Sequence, residues 1–108
     1  MTNREILENA LMTYGAKAQI LMVMEEMAEL QKELCKNIRG KANVANIAEE
    51  IADVQIMLEQ MTMLFHCEHA VQANREYKLM RLENRIEAET SRSKRKDVDT
   101  PWKEEKDG

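Results

Sequence analysis

The sequence predicts an all-α protein, an antiparallel helical bundle whose core is completed by oligomerisation. Three observations predict it. Among 108 residues there are only three Gly, one Pro and four aromatic side chains, a composition that favours helix and gives little material for turns or β-structure. Apolar residues recur at three- and four-residue intervals through long uninterrupted stretches, the period of a helix that buries one face. A chain of this size can only just enclose a core by itself, so stripes this extensive call for a second copy to cover them.

The elements follow in order. Ile6, Leu7, Ala10 and Leu11 place a short helix over residues 3–13, with Thr2 or Asn3 as its cap. Tyr14-Gly15 ends it. From Ala16 to about Asn37 the stripe Val23, Met27, Leu30 and Leu34 marks a first long helix, and Gly40 suits the left-handed position after its end. Asn43 is a candidate N-cap for a second long helix, Val44 to about Phe65, with the stripe Ile47, Ile51, Val54, Leu58, Met61 and Phe65. The turn between the two is short, which makes them antiparallel neighbours. After His66-Cys67-Glu68-His69 a last helix runs from about Ala70 to Ala88 or beyond. These elements form one domain, residues 1–92. The basic and alternating segment 93–108, interrupted by Pro101, is expected to be a mobile tail.

Charge and leader content exclude several roles. The net charge of −4 argues against a nucleic-acid partner, which needs a cationic face, but not against a nucleotide. No apolar run reaches the length of a membrane span and the first residues lack an apolar signal core. The expectation is a cytoplasmic protein without a membrane partner. Cys35 and Cys67 form no CxxC pair and are expected as reduced thiols. Neither a Walker-type glycine loop nor a Gly-x-Ser-x-Gly turn is present.

The chemistry concentrates in two acidic segments. Glu26 and Glu29 are three residues apart, as are Glu50 and Asp53, so each pair shares a helix face at about 5–6 Å between Cβ atoms. Counted from a turn near residue 41, the first pair lies about 12–15 residues before it and the second about 9–12 after it, at similar heights on antiparallel helices. Four carboxylates brought together repel one another and take up protons unless a hard divalent cation compensates. Asp53 stands out, because Ile51-Ala52 and Val54 to Leu58 surround it with mostly apolar residues in mid-helix, where Asp is disfavoured. Spacing alone leaves a metal site and a solvated acidic face equally open.

Other candidates are weaker. His66 and His69, three apart with Cys67 and Glu68 between them, lie at a helix junction with too few partners for a closed zinc site, and a surface or helix-end role is expected. Lys78, Arg81 and Arg85 form a basic stripe on the last helix. Arg85 is expected to pair with neighbouring Glu residues, whereas Lys78 and Arg81 are candidates for phosphate contact. Trp102 falls in the tail and is not expected to stack on a base.

Glu25-Glu26-x-x-Glu29, twenty residues, then Glu50-x-x-Asp53 resembles the E-E-x-x-E, spacer, E-x-x-D signature of the MazG-like all-α nucleoside triphosphate pyrophosphohydrolases, in the short form with one motif set per chain carried by bacteria and their phages. The likeness extends to Gln19, the Arg39-Gly40 turn, Ile47 to Val54, and Tyr77 to Leu82, and covers residues 14–87. It implies hydrolysis of a (d)NTP to (d)NMP and pyrophosphate, in a four-helix arrangement completed by a homodimer or by a tetramer of two dimers. It implies Glu26, Glu29, Glu50 and Asp53 as ligands of Mg²⁺, with Mn²⁺ as a substitute, Glu25 or Glu29 as the group that positions or deprotonates water, and Lys78, Arg81 and Gln19 as substrate contacts. The alternative is a non-catalytic helical oligomer whose acidic cleft binds a metal or a basic partner.

Overall fold

The computed structural model describes residues 1–96. Among them there are four helices and no strand: α1 Asn3–Tyr14, α2 Ala16–Ile38, α3 Val44–Leu64 and α4 Glu68–Lys96. The all-α class is therefore the observed one. The chain divides into two units, Met1–Glu68 and His69–Gly108. No described helix is long and apolar enough to cross a membrane.

Local chemistry sets each boundary in the first unit. Thr2 caps α1: its hydroxyl accepts from the Glu5 N–H at 3.1 Å and the Glu5 carboxylate accepts from the Thr2 N–H at 3.2 Å, a reciprocal capping box. Gly15 has φ 90°, a conformation that L-residues with a Cβ rarely adopt. It lets α2 begin one residue after α1 ends. At the other end of α2 the Gly40 N–H donates to the Asn37 carbonyl and the Lys41 N–H to the Lys36 carbonyl, the paired bonds of a Schellman motif with Gly40 in the positive-φ position. The end of α3 repeats this device, with His66 donating to Met63 and Cys67 to Thr62. There His66 holds φ 51° without being glycine.

Asn43 occupies the N-cap of α3 but makes no capping bond with its side chain. Its amide instead donates to the Glu33 carbonyl at 2.8 Å and the Glu33 carboxylate at 2.6 Å, while its oxygen accepts from Asn37 at 3.2 Å. The side chain ties the two long helices to each other, because the α2 end offers both an acceptor and a donor within reach. This cross-link pairs residue 33 with 43. Together with the approach of residue 26 to residues 50 and 53, it establishes the antiparallel register.

The core of this unit is small. Leu7, Val23, Met57 and Met63 are buried, and so are the polar Gln19, Asn43 and Gln60. Gln60 donates to the Leu7 carbonyl at 3.3 Å, which attaches α1 to α3, and Arg4 pairs with Glu68 at 3.1 Å on the surface. The predicted stripes are only half covered: Met27, Leu34, Ile51, Leu58 and Phe65 are exposed, because three helices leave part of each apolar face without a neighbour.

The second unit is α4 from His69. Every side chain from His69 to Arg92 is exposed. Within it Arg81 lies over the Tyr77 ring at 5.8 Å, Asn74 donates to the Ala70 carbonyl, and Arg92 pairs with Glu89. The helix continues to Lys96, past the expected start of the tail at residue 93. The rest of that segment, with Pro101 and Trp102, lies outside the described residues.

Candidate metal centre

The antiparallel register brings the two acidic segments together. One oxygen each from Glu26, Glu50 and Asp53 lies within 4.8 Å of the other two. This is the one group of three or more ligating side chains among the described residues. Glu26 comes from α2, one turn before Leu30, and Glu50 and Asp53 come from consecutive turns of α3. Each helix thus places its carboxylates beside its half-buried residues, Leu30 and Val54.

The electrostatics follow from crowding without cations. Burial is the largest cause raising the Glu26 carboxyl above its ordinary range, followed by the charges of Asp53 and Glu50 and by a hydrogen bond shared with Asp53. Burial also leads for Glu50, with Asp53, Glu29, Glu33 and Glu49 adding to it. One Glu50 oxygen, Oε2, is buried and has no hydrogen-bond partner. A carboxylate oxygen shielded from water and left without a donor calls for a proton or a cation.

The donor set fits a hard divalent ion. Carboxylate oxygens are what Mg²⁺ and Ca²⁺ select. Oxygens around an octahedral Mg²⁺ stand about 3–4.2 Å apart, against an observed spread of up to 4.8 Å.

The remaining sequence candidates are distributed unevenly. Glu29 is exposed and outside the three-carboxylate group, yet its charge raises both Glu26 and Glu50. Glu25 is exposed, about 100° around α2 from Glu26. Gln19 is buried, two turns from Glu26 along α2 and about 10 Å away in rise. Lys78 and Arg81 are exposed on α4, in the second unit. His66 is exposed at the end of α3 and His69 on α4, and neither belongs to a ligating group.

Asp53, which the sequence singles out for its apolar neighbours, is exposed, and the orphaned oxygen belongs to Glu50. The reason is that Ile51 and Ile56 are themselves exposed, so a run of apolar letters around Asp53 is no core. Two polar residues of the seam escaped the pattern. Glu33 anchors Asn43 and reaches Glu50 with its charge. Gln60 is 2% exposed with its Oε1 unpaired; its position seven residues after Asp53, on the same helix face, was the available signal. Comparison with family models, curated proteins and solved structures gives no match for this chain.

Proposed function

We propose that the chain is a Mg²⁺-dependent nucleotide pyrophosphohydrolase of the MazG-like type, converting a (d)NTP to (d)NMP and pyrophosphate and working as a homodimer or a tetramer of two dimers. The observation that carries this reading is the convergence of Glu26, Glu50 and Asp53 within 4.8 Å with a buried, unpartnered Glu50 oxygen among them. The motif resemblance supplies the step from a metal site to this reaction.

Glu26, Glu50 and Asp53 would hold the ion, with Glu29 joining them by rotation from its nearby exposed position. When bound, Mg²⁺ supplies the positive charge that offsets the phosphates and the departing pyrophosphate. Glu25 or Glu29 orients a water and accepts its proton as the water oxygen bonds to the α-phosphorus. The α–β phosphoanhydride bond breaks and its electron pair leaves with pyrophosphate. Lys78 and Arg81 bind phosphate oxygens as charge-assisted donors. Gln19 would meet the nucleoside end, and its burial requires the seam to part there. The half-covered apolar stripes of α2 and α3 favour an oligomer.

A panel of (d)NTPs with Mg²⁺ tests the reading. Pyrophosphate is the expected inorganic product, and Asp53→Asn should remove most turnover. Orthophosphate as the sole product would overturn the reaction. Absence of turnover on every nucleotide would leave the non-catalytic metal-binding oligomer in its place.

A further inference from the structure

Few contacts hold α1 to the rest of the first unit. Leu7 is its one buried side chain. Among the described residues its hydrogen bond to α3 is the one from the Gln60 amide to the Leu7 carbonyl, at 3.3 Å, beyond the usual N–H···O range. The pair of Arg4 with Glu68 joins side chains that are 62% and 50% exposed, where an ion pair contributes little. At the other end Gly15 alone connects α1 to α2, at φ 90° and ψ 154°, a backbone state that belongs to glycine. α2 starts there without a side-chain cap.

The seam beside α1 is polar. Glu26 meets Glu50 and Asp53, so on antiparallel helices a step of seven residues back along α2 and seven onward along α3 sets Gln19 level with Met57 and Gln60. Gln19 and Gln60 are 6% and 2% exposed, about 10 Å along the seam from the carboxylates. The Gln60 Oε1 is buried without a donor. An acceptor in that state has lost its hydration and gained no bond in return. The closed position of α1 therefore carries a penalty that ends once water reaches this oxygen. Moving α1 leaves its own N-terminus intact, since Thr2 and Glu5 of the capping box travel with it.

We infer that α1 is a lid, hinged at Gly15 and biased toward opening by the unpaired Gln60 oxygen, that closes over the Gln19 and Gln60 end of the helical seam. The lid rests on contacts within the first unit alone. Its use as the gate that admits the nucleoside end of a substrate to Gln19 rests on the nucleotide reading proposed above.

Residue-resolved amide hydrogen exchange on the full-length protein, without ligand, tests the lid. Amides from Leu7 to Leu11 should exchange through local opening, at least about 100-fold faster than those of the buried Val23 and Met57. Gln60→Met removes the unpaired oxygen at similar volume, and the Leu7 carbonyl keeps its partner within α1. This variant should slow the α1 amides about tenfold relative to Val23 and Met57. Leu7→Ala, which removes the one buried anchor, should speed them about tenfold or more. Exchange of α1 at the same rate as Val23 and Met57 in the wild type would overturn the lid. Rates in Gln60→Met equal to or faster than the wild type would overturn the bias assigned to Gln60.

Steady-state kinetics on a (d)NTP that the wild type hydrolyses tests the gate. Gln60→Met should lower kcat/KM by about the factor that separates its α1 exchange from the wild type. An unchanged kcat/KM would overturn the gate. A wild type inactive on every nucleotide would sink the nucleotide reading and the gate with it, and the exchange rates would still decide the lid.

Discussion

Replacing Asn43 by Ala removes the cross-link that sets the register of the two carboxylate-bearing helices. Asn43 is 4% exposed and the Glu33 side chain that it meets is 12% exposed, so Glu33 has little water to turn to when Asn43 is gone, whereas Asn37 is exposed. The bonds to the Glu33 carbonyl and from Asn37 are neutral, and losing them costs about 1 kcal/mol each, so about 2 kcal/mol together; loss of the bond to the Glu33 carboxylate adds to this. On a chain of this size such a change lowers the melting temperature by roughly 8–16 °C. Urea unfolding followed by circular dichroism, at matched protein concentration and neutral pH, measures it. A change below about 0.5 kcal/mol would refute the view that this contact holds the hairpin.

The same contact fixes a pH signature. Asn43 is the chief cause holding the Glu33 carboxyl below its ordinary range, with Lys36 and Lys41 assisting. A depressed carboxyl contributes stability above its unfolded pKa and loses it as pH falls through the folded value. The contribution is present at neutral pH, so the Ala variant should lose less stability than the wild type on acidification. Asn43→Asp, which sets a second carboxylate against Glu33, should be worse than Ala at pH 7 and recover as pH falls.

Four further outcomes follow from other parts of the structure. Glu26 and Glu50 are raised, so their contribution to stability is full below the ordinary carboxyl pKa and is lost as pH rises through the raised values; without divalent cations the protein should melt at a higher temperature at pH 5.5 than at pH 7.5. Mg²⁺ at about 100 times its Kd should add about 2.7 kcal/mol at pH 7.5, and a thermal melt insensitive to the ion would count against the site. His66→Gly should stabilise by about 0.5–1 kcal/mol, because the left-handed position at φ 51° suits glycine, and chemical denaturation with no gain would contradict that. Thr2→Ala should cost about 1 kcal/mol through loss of the capping box, and an unchanged denaturation midpoint would speak against the cap.

Periodicity and breakers made the helices legible. Gly15 and Gly40 both hold positive φ, and the expected helices 3–13, 16–37 and 44–65 correspond to α1, α2 and α3 within a residue. The approach of Glu26 to Glu50 and Asp53 was legible for the same reason, since a short turn and a constant rise fix which turns face each other. Burial was less legible, because it depends on what lies across a face: Phe65 closes the predicted stripe of α3 yet is exposed, whereas Gln60 is buried. Side-chain partners were least legible of all. Asn43 was recognisable as a cap by type and place, but its choice of Glu33 is made by the geometry of the neighbouring helix.

The central claim is that the carboxylate cluster directs water to the α-phosphorus of a nucleoside triphosphate. Hydrolysis of (d)NTP substrate in ¹⁸O-water with Mg²⁺, followed by mass analysis of both products, tests it most directly. The account predicts one ¹⁸O in the nucleoside monophosphate and none in pyrophosphate, with the reaction nearly abolished in Glu50→Gln. Label in the pyrophosphate, or turnover in Glu50→Gln equal to the wild type, would contradict it.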